Sequence, residues 1–258
     1  MICAGIDVGA LWTKALVLED GETVGFAMLP TWESGVRVAE DALTEALEPL
    51  HATLGDLHAV VATGAGKQEV GFARESVTEV VCAARGIRRL QPEARGVLDL
   101  GAESSRAVKM DDGGSVLEYA LNDKCASGTG IFLDAIAKVM GLTVEQMGPL
   151  SLRSARTVEI TNTCVVFAES EVVTQVARQT PKEDIIRGIH MAIASRVHGT
   201  ANRVGLADGT AAIGGLARNV GIVACLEELM GAPLAIPPDP HRVSALGAAL
   251  IAAEASGA

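Results

Sequence analysis

Aromatic residues are scarce in this chain of 258 residues, since only 3% are Phe, Trp or Tyr although 49% are hydrophobic. The core must therefore be built mainly from Ala, Val, Leu and Ile, and the 28 glycines predict many tight turns. Basic residues are outnumbered as well, because 21 Lys and Arg face 32 Asp and Glu, for a net charge of −11. That charge argues against nonspecific binding to nucleic acid or to an anionic membrane.

Long apolar runs and paired cysteines are also missing. No stretch approaches the roughly 18 apolar residues of a membrane span, and the opening MICAGIDVGA has no basic leader, so we expect a cytoplasmic protein. The 5 cysteines are scattered and form no CxxC pair, so neither a disulfide framework nor a one-chain zinc site is indicated. Three of them stand in apolar strand or helix patterns and are predicted to be buried core residues: Cys3, Cys82 and Cys225.

An internal repeat organises the chain. A shift of 92 residues lays IDVGALWTKALVLEDGETVGFAM (6–28) on LDLGAESSRAVKMDDGGSVLEYA (98–120) without a gap. The shift pairs similar residues: Asp7 with Asp99, Gly9 with Gly101, Ala10 with Ala102, and Lys14 with Arg106. Each copy predicts a strand that ends in Asp-x-Gly, a tight turn, a second strand, an Asp-Gly hairpin turn and a third strand.

Helical patterns follow each predicted meander. They cover residues 34–52 in the first half and about 131–140, 167–179 and 182–204 in the second, with Pro149 expected at a junction. The final ALGAALIAAEA run predicts a helix of small residues that packs very closely. We therefore expect an α/β fold of two duplicated halves, 1–94 and 95–242, with a C-terminal helix at 243–258 returning to the first half.

The two acidic strand ends predict a nucleotide cleft between the halves. Asp7 and Asp99 are expected to face one ligand there and to hold Mg²⁺ mostly through water, while N–H groups of turns 9–13 and 101–105 bind phosphates. ATGAGK (62–67) and IGGLARN (213–219) also follow apolar strands, and their glycines let the backbone pass close to a phosphate or a nucleoside. Neither segment has the Walker A or the GxGxxG pattern.

Two cysteines stand in a different context. Cys125 in LNDKCASGTG and Cys164 in TNTCVVFAESEV each follow a short polar turn and precede a helical pattern. Free N–H groups and the helix dipole stabilise a thiolate at such a position. Two ligands do not complete a four-cysteine iron–sulfur site, but a two-fold dimer with the cluster on its axis supplies four. From spacing alone, packed small residues remain the alternative.

Eight motifs follow one another over nearly the whole chain: GIDVGALWTK, ATGAGK, LDLGAESSRAVK, NDKCASGTGIFLD, TNTCVVFAESEV, IIRGIHMAIASRV, IGGLARNVG and ALGAAL. With them the sequence resembles the BadF/BadG/BcrA/BcrD-type ATPases, which comprise activators of 2-hydroxyacyl-CoA dehydratases and ATPase subunits of benzoyl-CoA reductase. The cysteine motifs are specific to this family, whereas the glycine motifs are shared with actin, Hsp70 chaperones and sugar kinases. The resemblance implies the actin-like ATPase (ASKHA) fold with two RNase H-like halves.

The resemblance also implies a function. ATP hydrolysis would drive one-electron transfer from a low-potential [4Fe-4S] cluster, shared by two ATPase chains, to a partner reductase or dehydratase that acts on a CoA thioester. The implied cofactors are ATP or ADP, Mg²⁺ and the cluster. The implied partners are a second ATPase chain, the iron–sulfur reductase or dehydratase subunits, and a ferredoxin- or flavodoxin-like electron donor.

The family motifs assign roles to individual residues. Asp7, Asp99 and Glu103 match catalytic positions, and Asp7 and Asp99 also match positions that hold Mg²⁺ through water. Cys125 and Cys164 match the cluster ligands. The positions implied to bind ATP are Gly9, Ala10, Leu11, Trp12, Thr13, Lys14, Gly101, Ala102, Ser104, Gly214, Gly215 and Asn219.

The second phosphate turn departs from the dehydratase-activator pattern. It reads DLGAES instead of DIGGQD, so Glu103 replaces the usual Gln and Ser104 replaces Asp. In this the sequence is more similar to the small ATPase subunits of benzoyl-CoA reductase, which leaves both a homodimer and a heterodimer open. Two other classes also remain open on this fold, namely a sugar or carboxylate kinase and a nucleotide-sensing assembly protein, neither of which needs the two cysteines.

Overall fold

The computed structural model describes residues 1–31, 35–122, 129–160 and 165–257. The chain divides into two compact units, of which the first consists of Met1–Glu93, Met110–Val116 and His241–Ala258. The second unit consists of Ala94–Lys109 and Leu117–Pro240. The first unit is thus built from both ends of the chain.

The first unit contains a five-stranded sheet in the order β3-β2-β1-β4-β5. Strand β1 pairs antiparallel with β2 and parallel with β4, so the predicted meander forms one side of the sheet and a crossover strand extends it. Its strands are β1 (Ile2–Val8), β2 (Trp12–Glu19), β3 (Glu22–Pro30), β4 (Ala59–Thr63) and β5 (Glu75–Ser76). Its helices are α1 (Gly35–Leu47), α2 (Glu79–Leu90) and α8 (Val243–Ala255).

Alternation along β1 separates two apolar layers in this unit. Ala4, Ile6 and Val8 point to the side of α1, whose buried residues Ala39, Ala42, Leu43, Ala46 and Leu47 recur at the spacing of one helical face. Cys3 points to the opposite side and packs with Cys82 of α2 and Ala248 of α8. Burying one leucine such as Leu43 contributes about 1.5–3 kcal/mol, so the layer against α1 contributes substantially to stability.

The C-terminal helix packs as closely as its small residues predict. A Cβ on Gly247 would overlap the carbonyl oxygen of Cys82, and a Cβ on Gly86 of α2 would overlap the carbonyl oxygen of Val243. On the strand side, a Cβ on Gly5 would overlap the backbone of Ala245 and Ala249. Helix α8 therefore contacts both α2 and β1 backbone to backbone, which only glycine at these three positions permits.

The second unit contains a four-stranded sheet in the order β8-β7-β6-β9, which repeats the arrangement of the first four strands. Strand β6 pairs antiparallel with β7 and parallel with β9. The strands are β6 (Gly96–Leu100), β7 (Ser105–Met110), β8 (Val116–Asn122) and β9 (Thr210–Ile213). The helices are α3 (Gly130–Met140), α4 (Val144–Ser151), α5 (Val165–Ala177), α6 (Lys182–Arg203) and α7 (Val220–Met230).

Aliphatic side chains fill the core of the second unit, as the composition predicts. Leu98 and Leu100 of β6 share one cluster with Ile136 of α3 and with Ile189 and Ile193 of α6. Within the described ranges, Phe132 is the one Phe, Trp or Tyr side chain that is buried. The sheet, α3 and α6 thus pack around one aliphatic core.

The two hairpin turns and one helix test the local predictions. Asp20 and Gly21 form a two-residue turn with positive φ angles of 50° and 84°, as predicted. The second hairpin turn is longer, since β7 ends at Met110 and β8 begins at Val116. In it, Gly114 adopts the positive φ angle, and Asp111 accepts hydrogen bonds from the N–H groups of Gly113 and Ser115.

The expectation that Pro149 marks a junction is wrong, because Pro149 lies inside α4, a helix that the periodicity did not predict.

Among the helices in the described ranges, none is both long enough and apolar enough to cross a membrane.

Candidate nucleotide site and the cysteine segments

A four-residue turn joins β1 to β2 and brings two charged side chains together. The turn closes with a hydrogen bond of 3.1 Å from the Gly9 N–H to the Trp12 carbonyl oxygen. The register then places Asp7 directly opposite Lys14, and Lys14 Nζ donates to Asp7 Oδ2 at 2.8 Å. The first predicted phosphate turn therefore has an ion pair between its two strands.

The second turn has the same construction. The Gly101 N–H donates to the Ser104 carbonyl oxygen at 3.0 Å, and the register places Asp99 opposite Arg106. Arg106 Nη1 donates to Asp99 Oδ2 at 3.0 Å. The repeated sequence thus folds into repeated geometry, with a carboxylate and a cation facing each other across adjacent strands.

A glycine with a positive φ stands beside each carboxylate. Gly64 follows β4 with a φ of 93°, and Gly214 follows β9 with a φ of 89°. A Cβ on Gly64 would lie 2.7 Å from Asp7 Oδ1, and a Cβ on Gly214 would lie 2.9 Å from Asp99 Oδ1. Both positions therefore require glycine, for the backbone conformation and for the space next to the carboxylate.

Each carboxylate has the chemistry to bind a magnesium ion through water. Asp7 is 8% exposed and Asp99 is 7% exposed, so each is a nearly buried charge that its cation partner balances. Carboxylate oxygens are the ligands that Mg²⁺ prefers, usually one or two of them together with waters and phosphates. The described part of the chain holds no cluster of three or more His, Cys, Asp or Glu side chains that could hold a metal ion by themselves.

The other predicted residues of the two turns differ in their exposure. Trp12 is 42% exposed and Glu103 is exposed as well, whereas Thr13 is fully buried. The Thr13 hydroxyl lies 2.9 Å from the Thr31 hydroxyl, so its side chain is already engaged. The remaining turn residues are partly exposed: Gly9, Ala10, Leu11, Lys14, Gly101, Ala102 and Ser104.

The segment after β9 is the predicted adenosine turn. A Cβ on Gly215 would meet no atom within 4 Å, so open space lies beside it. Asn219 is instead buried at the start of α7, where its Oδ1 accepts hydrogen bonds from the N–H groups of Gly221 and Ile222 at 3.0 and 3.2 Å. The Asn219 side chain therefore caps a helix in this structure, and its contact with ATP stays a prediction.

Helix α3 is attached directly to the second phosphate turn. The Gly130 N–H donates to the Gly101 carbonyl oxygen at 3.1 Å, and the Ile131 N–H donates to the Ala102 carbonyl oxygen at 3.0 Å. The expectation of free N–H groups at this helix start is wrong for these two groups, because the phosphate turn accepts both. The dipole of α3 remains available to a thiolate.

The two cysteines predicted to bind a cluster, Cys125 and Cys164, lie outside the described residues. The other three are buried, as predicted. Burial raises the pKa of the Cys82 thiol to about 12 and that of the Cys225 thiol to about 11. A cluster ligand must be a thiolate, so neither of these two side chains fits that role.

Arg106 and Gly64 are not among the residues to which the family motifs assign individual roles. The repeat pairs Arg106 with Lys14, and that match is the signal from which its place in the site could have been inferred. Gly64 belongs to ATGAGK, which by itself is weak evidence, and its equivalence to Gly214 becomes visible only when β4 and β9 pair with β1 and β6. A helical insertion before β9 hides that equivalence in the sequence.

The fold and its duplicated turns define the chain as a member of the actin-like ATPase fold class. A ROK family glucokinase from Streptomyces griseus is similar over 98% of this chain and 100% of that chain, with a TM-score of 0.59. Its identity of 14% means that the likeness concerns the fold alone.

Comparison with known proteins identifies the family. The model described as the BadF/BadG/BcrA/BcrD ATPase family matches residues 4–252, and the chain belongs to this family. The activator of lactoyl-CoA dehydratase from Anaerotignum propionicum is 37% identical over 99% of this chain and 99% of its own length. One of the subunits of benzoyl-CoA reductase from Thauera aromatica is 33% identical over 96% of this chain and 92% of its own length.

A solved structure of an activator is also similar. The activator of 2-hydroxyisocaproyl-CoA dehydratase from Clostridium difficile, with bound ADPNP, has a TM-score of 0.94 and an identity of 34%. The match covers 99% of this chain and 96% of that chain. The family prediction is confirmed, but identities of 37% and 33% do not separate the activators from the reductase subunits. The resemblance of the DLGAES turn to the reductase subunits stays a prediction.

Proposed function

We propose that this protein is an ATPase that couples ATP hydrolysis to one-electron transfer toward a partner enzyme acting on a CoA thioester. The observation that carries the ATP-dependent part is the duplicated carboxylate turn, which presents Asp7 and Asp99 in the same geometry. Membership of a family that includes activators of CoA dehydratases and a benzoyl-CoA reductase subunit supports the electron-transfer part.

Asp7 and Asp99 hold Mg²⁺ through water in this proposal, and the N–H groups of both turns bind the phosphates. Glu103 is an exposed residue of the second turn, where a carboxylate has the chemistry to orient the attacking water. The nucleoside is proposed to bind along Gly214 and Gly215, and open space lies beside Gly215. Hydrolysis consumes one water and releases ADP and phosphate, so the site needs no further reactant.

Cys125 and Cys164 are proposed as two of four ligands of a [4Fe-4S] cluster, with a second ATPase chain supplying the other two. The cluster would supply the low-potential electron, which a ferredoxin- or flavodoxin-like donor replaces. In support, the thiols of Cys82 and Cys225 have raised pKa values because they are buried, so they are poor candidates.

Exposed apolar side chains that are close in sequence to Cys125 and Cys164 support contact with another protein. Tyr119 is 56% exposed on β8, shortly before Cys125, and Phe167 is 63% exposed on α5, shortly after Cys164. Large apolar side chains at the surface are typical of interaction sites when they occur together. The exposed set comprises Leu117, Tyr119 and Leu121 on β8, and Phe167, Val173 and Val176 on α5.

Anaerobic purification followed by iron, sulfide and sedimentation analysis tests the cluster. We expect one four-iron cluster per two ATPase chains, and its loss when serine replaces Cys125 or Cys164. Four irons within each single chain, or none after anaerobic reconstitution, would refute the bridging arrangement.

The nucleotide part has its own test. Asp7→Asn and Asp99→Asn should each reduce the rate of ATP hydrolysis by on the order of 10²-fold, because each removes charge from the expected metal site. Asp20→Asn is the matched control, since Asp20 is exposed and pairs with the N-terminal amino group. Unchanged hydrolysis in either site variant would contradict the proposed role of the duplicated turns.

A further inference from the structure

We propose that Arg106 is a positioning residue for Asp99, which it orients toward the magnesium-bound phosphates. The inference rests on the proposed function, because it assigns a role within the same nucleotide site. It begins from the repeat, in which Arg106 has the same strand position relative to Asp99 as Lys14 has relative to Asp7.

The two oxygens of each carboxylate have different surroundings. Oδ2 of Asp99 accepts the Arg106 guanidinium at 3.0 Å, while Oδ1 is directed to the side of Gly214, where no Cβ is present. In the first unit, Oδ2 of Asp7 accepts Lys14 Nζ at 2.8 Å, and Oδ1 is directed to Gly64. In both copies the cation therefore binds one oxygen and fixes the direction of the other.

Orientation matters here because water-mediated metal binding depends on it. A carboxylate that binds a metal ion through water must hold its oxygen in one direction, and its own hydrogen-bond partner fixes that direction. Asp99 and Arg106 both belong to the second unit and lie on adjacent antiparallel strands, so their separation is set by strand register. Arg106 is only partly exposed, with a side-chain exposure of 16%, so little solvent competes for the pair.

Direct contact between Arg106 and a phosphate is the competing role, and it predicts different binding data. A cation that touches phosphate helps the nucleotide most when no metal neutralises the phosphate charge. A cation that positions Asp99 helps only when Mg²⁺ is present, because Asp99 acts through the metal. The magnesium dependence of nucleotide affinity therefore separates the two roles.

The test measures the dissociation constant of ADPNP by calorimetry on the purified full-length protein, in excess Mg²⁺ and in excess EDTA. In Arg106→Gln, the increase in ADPNP affinity that Mg²⁺ produces should be about 10- to 100-fold smaller than in the wild type. The ADPNP affinity measured in EDTA should change little. Arg106→Lys should retain most of the gain, because an ammonium group already binds Asp7 in the other copy. Arg89→Gln is the matched control, since Arg89 pairs with the exposed Glu22 on the surface.

Comparing a double variant with Asp99→Asn is decisive, and this comparison does not require Arg106→Gln alone to fold well. Asp99→Asn combined with Arg106→Gln removes both charges, so no buried carboxylate is left unpaired. If Arg106 acts through Asp99, the double variant should bind ADPNP in Mg²⁺ as Asp99→Asn alone does. An additional loss in the double variant, or a loss in EDTA as large as that in Mg²⁺, overturns the positioning role.

Failure of the broader proposal looks different. A wild-type protein whose ADPNP affinity does not respond to Mg²⁺ refutes the proposed nucleotide site together with this inference. A wild-type protein that responds, while Arg106→Gln responds equally, refutes only the role of Arg106.

Discussion

Replacing His190 should make the protein less sensitive to mild acid. His190 lies on α6 and is fully buried, and both of its ring nitrogens are without a hydrogen-bond partner in the described structure. A Cβ on Gly221 would overlap the His190 ring, so the ring packs against the start of α7. Burial, assisted by the charge of Arg187, lowers the pKa of His190 from 6.5 to about 3.

The size of the effect follows from that pKa. The unfolded chain binds a proton at His190 with the ordinary pKa of 6.5, while the folded protein stays neutral at this site down to about pH 3. Falling pH below 6.5 therefore stabilises the unfolded state and destabilises the fold. Between pH 7.5 and pH 5, this one site should remove about 2 kcal/mol from the free energy of unfolding.

Urea unfolding of the wild type, His190→Leu and His190→Gln at pH 7.5 and pH 5 measures the effect. Both variants lose the titrating group, so their free energies of unfolding should fall by about 2 kcal/mol less than that of the wild type over this range. His51→Gln provides the matched replacement at the surface, because His51 is exposed. The same pH dependence in the wild type and in both His190 variants would refute a buried, uncharged imidazole.

Two further predictions concern packing and the remaining cysteines. Gly247→Ala should lower the free energy of unfolding by about 1–3 kcal/mol in thermal or urea unfolding, because its Cβ overlaps the Cys82 carbonyl oxygen. Gly71→Ala, which meets no atom within 4 Å, is its control, and equal stabilities would contradict the close packing. Alanine at Cys3, Cys82 or Cys225 should leave the iron content near that of the wild type in anaerobic analysis, whereas loss of iron would indicate a different ligand set.

The hairpin-connected strands of both sheets were predictable because the two copies of the repeat contain similar residues at the same spacing. Asp7 and Asp99 end equivalent strands, and the Asp-x-Gly turns bring the next strand back in the same register in both units. The order of strands that are joined by consecutive hairpins can be predicted from local sequence alone. The positions of β4 and β9 beside β1 and β6 depend on tertiary contacts, so the equivalence of Gly64 and Gly214 could not be read from short motifs.

Helix α4 shows where sequence reasoning failed. Proline usually breaks a helix, but Pro149 lies in the sixth position of a helix of only 8 residues. A start signal was present, since the Thr143 N–H donates to Gln146 Oε1 at 3.0 Å in a Thr-x-x-Gln capping box. The prediction of free N–H groups at the start of α3 failed for another reason. The carbonyl groups that accept from the Gly130 and Ile131 N–H groups belong to a turn almost thirty residues earlier.

The close packing of α8 on β1 has a consequence for biosynthesis. Strand β1 (Ile2–Val8) is synthesised before the second unit, and α8 (Val243–Ala255) is synthesised after it. At about 5–20 residues per second, β1 waits on the order of ten to fifty seconds for the helix that covers it. The second unit is nearly continuous between Ala94 and Pro240, so it can complete its core during that interval. We therefore expect the first unit to finish folding after the second unit during translation, although strand β1 of the first unit is synthesised earlier.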